Sequence, residues 1–210
     1  MGNNSGIDNA EFGFSYLGKY VETNLGNTGV VVEEYLNYPE PCLRSQKREN
    51  QMKQIFISDT HFGHEKYHNE NWEYKFWKKY NSISQDFILY HLGDLSFIHN
   101  HEYLDTIFEK FRANTHCKNI VLILGNHDDK ASRYLQHGVV ACDSMMITYK
   151  NQKLVLTHEP LILSPYKNIH GHLHTKEIGH RDNYKLDKNN ILVESEKIYE
   201  IDELIKENDK

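Results

Sequence analysis

The chain reads as an α/β protein, and three observations predict it. From Met52 onward, apolar runs of strand length alternate with segments of helical spacing. Five chemistry-bearing motifs each stand directly after one of those apolar runs. They are Asp59-Thr60-His61, Gly93-Asp94, Gly125-Asn126-His127-Asp128, Thr157-His158 and Gly171-His172-Leu173-His174. Ligand sites of α/β sheets lie at the carboxyl ends of strands, so this placement gathers the motifs into one pocket.

Taken in order, Ile55-Phe56-Ile57 is a short buried strand that delivers Asp59. Trp72, Phe76, Trp77 and Tyr80 recur at helical spacing and predict a helix over Trp72–Asn81. Phe87–Leu92 is a second strand, ending at Asp94. His101–Arg112 is an amphipathic helix with Leu104, Ile107, Phe108 and Phe111 on one face. Ile120–Leu124 is a third strand, ending at Asn126. Met145–Tyr149 and Leu154–Thr157 flank a Lys150-Asn151-Gln152-Lys153 turn as a hairpin leading to His158. A strand around Ile169 precedes Gly171, Ile191–Val193 is a last strand, and Glu203–Asn208 a terminal helix.

Residues 1–51 differ from the rest: they are rich in Asn and Gly and carry none of the motifs. Tyr16–Thr23 and Val30–Tyr35 predict a hairpin around the Asn24–Gly29 turn cluster. Pro39-Glu40-Pro41 and the polar run Ser45–Gln51 read as a linker. A lone hairpin is marginal, so it is expected to pack on residues 52–210 or on a second copy, which makes a homodimer one expectation.

Composition narrows the function classes. With 39% apolar and 26% charged residues the chain is globular rather than disordered. No apolar run approaches the ~20 residues of a membrane span, and Met1–Ala10 has no leader pattern, so a cytoplasmic protein is expected. Cys42, Cys117 and Cys142 have no CxxC spacing, which disfavours disulfides and a thiolate metal site. A formal charge of −6 without a Lys/Arg block argues against a duplex nucleic acid partner.

Asp59, His61, Asp94, Asn126, His158, His172 and His174 are too many oxygen and imidazole donors for one divalent ion, and with a bridging carboxylate they suffice for two. Two ions roughly 3.5–4 Å apart clamp a phosphoryl group and generate hydroxide at neutral pH, which points to a hydrolase. Asp59 and His61 stand two apart, as do His172 and His174, so an extended strand exit would aim each pair at one cluster. Gly93 lets the backbone turn close to the ions, and Asp94 is the natural bridge, hence a catalytic residue. Asn126 adds a neutral oxygen that keeps the site positive for an anionic substrate. His127, beside a ligand yet poorly placed to be one, suits protonation or charge stabilisation of a leaving alkoxide. His64, three after His61, is a candidate substrate contact. Lys66, Tyr67, His68, His99, His101 and Arg133 follow motifs, where any could shape the substrate pocket while each singly is read as surface, and His116, His137, His170 and His180 receive no functional role.

This ordered set resembles the calcineurin-like metallophosphoesterase superfamily over about Lys53–Tyr199. Phe56-Ile57-Ser58-Asp59-Thr60-His61-Phe62-Gly63-His64 with His91-Leu92-Gly93-Asp94 is similar to its small, uncapped bacterial and phage members. The resemblance implies a two-sheet β-sandwich flanked by helices, the four-layer fold of that superfamily. It implies one ion on Asp59, His61, Asp94 and His174, a second on Asp94, Asn126, His158 and His172, and His127 facing substrate. Manganese is the implied metal, with iron, zinc or nickel as others. Many relatives carry an acid three residues after the aspartate of the second motif, then an arginine. Here Leu95-Ser96-Phe97-Ile98 supplies neither, which leaves Ser96 or Asp128 as orienting partner of His127 and makes protein-phosphatase activity unexpected. The expected activity is hydrolysis of a small phosphodiester, a nucleotide or cyclic nucleotide. The rivals are a phosphomonoesterase or nucleotide pyrophosphatase with the same ions, a single-strand nuclease, and a non-catalytic scaffold.

Overall fold

A computed structural model describes residues 19–22, 28–31, 52–64, 70–162, 164–175 and 186–208. The predicted linker, Cys42, Lys66, Tyr67, His68 and His180 lie outside these residues.

Two sheets face each other. The first runs β11-β3-β4-β5-β6, comprising Tyr199–Glu200, Lys53–Ile57, Phe87–His91, Cys117–Ile123 and Val140–Cys142. Its strands β3 to β6 are parallel, and β11 pairs antiparallel with β3. The second runs β10-β9-β8-β7, comprising Asn190–Leu192, Lys167–His170, Gln152–Thr157 and Ser144–Tyr149. There β7 and β8 form the predicted antiparallel hairpin, while β9 and β10 add in parallel. The architecture is the α/β, two-sheet sandwich with flanking helices that the resemblance implies.

Strand alternation divides the core in two. Ile55, Ile57, Phe87, Leu89, Ile120 and Leu122 face helices α1 (Glu70–Asn81), α2 (His101–Arg112) and α3 (Ala131–Leu135). Phe56, Tyr90, Val121 and Ile123 face the other sheet, against Leu154, Leu156, Ile169 and Ile191. Parallel strands buried on both faces must be apolar throughout, which is why these runs stand out in the sequence. Helix α4 (Ile201–Asn208) starts two residues before the predicted Glu203, because Ile201 and Leu204 belong to the inter-sheet core. On the outer face of the second sheet, Asn168 and Asn190 hold the Leu161 backbone by hydrogen bonds of 2.7 and 3.0 Å.

Helix α2 begins where Asn100 caps the Tyr103 N–H, and it buries Leu104, Ile107, Phe108 and Phe111. Phe62, one residue past His61, is the hub of the helix-side core. Its ring stacks on Trp77 at 5.4 Å and meets Phe76 edge-on at 5.8 Å. Through its backbone the loops after β3 and β4 are joined: Phe62 N–H donates to Leu95 O, and Phe97 N–H donates to Phe62 O.

The amino-terminal hairpin exists but is shifted. β1 (Lys19–Glu22) pairs antiparallel with β2 (Thr28–Val31), so the second strand begins inside the predicted turn cluster. Pairing Val21 with Gly29 places Thr28 and Gly29 in the ladder. Strand β2 lies beside β7.

Candidate metal centre

The five motif loops meet above the carboxyl ends of β3, β4, β5, β8 and β9. They do so by sharp turns, which corrects the extended strand exits expected from spacing. Asp59, His61, Asp94, His172 and His174 have φ values of 51°, 42°, 55°, 67° and 57°, the left-handed region. Non-glycine residues pay roughly 1–2 kcal/mol each for that conformation, so it persists only where the surroundings impose it. Here loop-to-loop bonds do so: Asp59 N–H donates to Gly93 O at 3.0 Å, and His61 N–H donates to Asp94 O at 2.9 Å. His172 N–H donates to the Asp59 carboxylate at 3.0 Å. Gly93 has φ 91°, and a Cβ there would strike the His158 imidazole, so glycine is required.

All seven predicted donors are brought together. Asp59, His61 and His174 present ligand atoms within 4.8 Å of one another, and so do Asp59, Asp94 and His158. Asp94 reaches both sides, with Oδ2 3.6 Å from His61 Nε2 and Oδ1 3.5 Å from His158 Nε2. Asn126 Oδ1 lies 3.0 Å from His158 Nε2 and 3.1 Å from His172 Nδ1. Two poles result, His61 with His174 and His158 with Asn126 and His172, spanned by Asp59 and Asp94.

The donor set fits divalent cations. His158 Nδ1 lies 2.8 Å from Leu92 O, an acceptor, and therefore carries the proton. Burial holds the pKa of His158 down, so the ring is neutral and its Nε2 lone pair is turned toward the Asp94 and Asn126 oxygens. Lone pairs converging in this way call for a cation between them. Asp59, fully buried, has its pKa pushed up to about 8 by burial first, opposed by the Ser58 hydroxyl, with Asp94 adding to the rise. Two carboxylates share this buried cluster with the His61, His158 and His174 imidazoles, and Asp128 adds a third acidic group beside them.

His127 stands exposed at the rim, with its backbone N–H donating to Asp94 Oδ1 at 2.9 Å. Neither expected orienting partner acts on its ring. Asp128 is used up by backbone: it accepts from Asp94 N–H, Leu95 N–H and Gly125 N–H at 2.8–2.9 Å and clamps the second motif to the third. Ser96 Oγ lies 2.9 Å from Phe62 O and accepts from Ile98 N–H. The His127 imidazole instead packs against Phe97, ring centroids 4.9 Å apart. Phe97 also lies 5.0 Å from the His61 ring and 4.3 Å from the His64 ring, which places His64 at the same rim.

Sequence reasoning missed Phe97, visible only as the residue standing where relatives carry charge. It also missed His91, buried below the centre, whose Nε2 lies 2.8 Å from Thr60 Oγ1. Burial, with His158 and His61 nearby, lowers its pKa to about 3.

A family model described as calcineurin-like phosphoesterase matches residues 52–210. The chain belongs to that family. Membership carries the coarse activity, metal-dependent hydrolysis of phosphoric esters, and the motif cluster is where this phosphoesterase offers ligand groups for the ions. No curated protein matches the chain. Among solved structures, a protein of unknown function from Aquifex aeolicus is 24% identical with a TM-score of 0.56, covering 74% of this chain and 98% of its own. The Pseudomonas putida nuclease MPE is 14% identical with a TM-score of 0.40, covering 75% and 73%. The first likeness concerns the fold. No helix of the phosphoesterase, among the described residues, is long and apolar enough to cross a membrane.

Proposed function

We propose that this phosphoesterase hydrolyses a small phosphodiester, a nucleotide or cyclic nucleotide, at a dinuclear centre. Asp59, His61, Asp94 and His174 would hold one ion, and Asp94, Asn126, His158 and His172 the other. The observation that carries the reading is Asp94, with one carboxylate oxygen toward each histidine pole and the rim histidine on its shoulder. The all-oxygen-and-imidazole donor set, without thiolate, favours manganese-type ions. When bound, such ions supply Lewis acidity that neutralises phosphoryl oxygens and provides hydroxide near neutral pH.

The chain's own residues supply the rest. Asp59 and Asp94 set the spacing of the poles, and Asn126 keeps the net charge positive enough to receive an anion. His127 is free of ligand duty and exposed, so its imidazole protonates the departing alkoxide. Phe97, 36% exposed beside His127, offers an aromatic face to a base, which supports a nucleotide leaving group. An acidic chain without a basic stripe favours a small ester over a duplex. The test is hydrolysis of bis-para-nitrophenyl phosphate beside the mono-ester with Mn2+, followed by cyclic, linear and pyrophosphate nucleotides. A higher kcat/KM is expected for the diester, and a large excess for the mono-ester would overturn the proposal.

A further inference from the structure

A second group of ligating side chains lies outside the motif cluster and shares no residue with it. His101 opens α2, Asp105 follows one turn later on the same face, and the turn after α3 brings in His137. His101 Nδ1 lies 2.7 Å from Asp105 Oδ2, and His137 Nδ1 lies 2.6 Å from Asp105 Oδ1. The two imidazoles meet edge to face with centroids 4.5 Å apart, and one ligand atom from each of the three residues falls within 4.8 Å of the others.

Placement differs among the three. The His137 side chain is wholly buried, packed at 5.4 Å on the Phe108 ring, while His101 and Asp105 are 54% and 47% exposed. The His137 backbone is pinned as well, its N–H donating to Tyr134 O and its carbonyl accepting from the Arg112 guanidinium. Its Nδ1 is therefore aimed at Asp105 in advance. The Nε2 atom on the far side of that ring is buried without a hydrogen-bond partner.

One carboxylate thus faces two imidazole nitrogens. With each ring neutral and its proton on Nε2, both Nδ1 lone pairs and the carboxylate converge as a three-donor set for one divalent cation.

We propose that His101, Asp105 and His137 form a structural site for a borderline divalent ion of the zinc class, with water as fourth ligand. Two imidazoles and one carboxylate, two of them i and i+4 on a helix, are donors such ions take. Ligands of a tetrahedral ion with bonds of ~2.0–2.1 Å stand about 3.3 Å apart, so the two nitrogen–oxygen approaches of 2.6 and 2.7 Å open by roughly 0.6–0.7 Å, a shift the exposed His101 and Asp105 can take. The ion would clip the first turn of α2 to the end of α3, the segment following the Asn126-His127-Asp128 loop. This inference does not depend on the phosphoesterase substrate.

The experiment is zinc content of the full-length protein, stripped with chelator, reloaded with Zn2+ and passed through a desalting column. His101→Ala and Asp105→Asn change exposed positions, and their thermal transitions without metal verify the fold. Each should retain one zinc equivalent fewer than the unmodified chain, whatever number the motif cluster holds. Equal zinc content in folded variants would overturn the site and leave a hydrogen-bonded His–Asp–His triad only.

Discussion

Removing divalent ions should make the fold pH-sensitive above neutrality, through Asp59. Without a cation its carboxyl is pushed up to about 8, mainly by burial. In the unfolded chain the same group titrates near about 3.9. Between those values the folded state holds a proton that the unfolded state has released, so stability falls as pH rises until the folded pKa is passed. Other groups complicate the acid side. Asp128, raised by burial to about 6, acts in the same direction at lower pH. His91 and His158, lowered by burial, act in the opposite direction below about 6.5, the ordinary histidine value. From about pH 6.5 to about pH 8 Asp59 is the largest of these contributions, the two histidines offsetting part of it only below about pH 7. At 1.36 kcal/mol per pH unit, tapering as the carboxyl ionises, the loss from Asp59 is about 1.6 kcal/mol. For a chain of this size that lowers Tm by about 3–6 °C. Thermal melts of chelator-treated protein at the two ends of the window should show the fall. Excess Mn2+ should abolish it by keeping Asp59 ionised, and Asp59→Asn should flatten it in metal-free protein. A metal-free melting temperature that holds steady or rises across the window would refute the reasoning.

Asp94→Asn should lose bound metal and activity together, since one carboxylate serves both poles. His127→Ala should keep its metal while turnover falls roughly 10²–10⁴-fold, and loss of both ions in that variant would contradict its rim role. Gly93→Ala should cost roughly 1–2 kcal/mol in chemical denaturation from the left-handed backbone alone, with metal affinity also reduced because the new methyl displaces His158. Phe97→Ala should raise KM for a nucleotide diester by roughly 5–100-fold, the scale of one stacked base, and leave KM for a dialkyl diester unchanged. Equal effects on both esters would remove the stacking role.

The strands that carry the motifs were legible because β3, β4 and β5 are buried on both faces and must be apolar throughout. Helix α2 was legible because Leu104, Ile107, Phe108 and Phe111 repeat at its period. Helix α3, with five residues, and β11, with two, are too short for any period to show. The candidate donors were legible for a chemical reason: carboxylates, an amide and imidazoles at strand exits have few other uses. Conformation was not. The left-handed backbone at Asp59 and His61 is imposed by bonds to Gly93 and Asp94, more than thirty positions away, and nothing local encodes it. The partner of His127 was misjudged for the same reason. Asp128 is adjacent in sequence, yet its oxygens are claimed by the backbone of Asp94, Leu95 and Gly125.

Asp94 is proposed to join two ions in one centre, and electron paramagnetic resonance of the Mn2+-loaded protein distinguishes such a pair from isolated ions. An exchange-coupled pair spectrum is expected, disappearing in Asp94→Asn, whereas only the signal of isolated Mn2+ in the unmodified protein would contradict it.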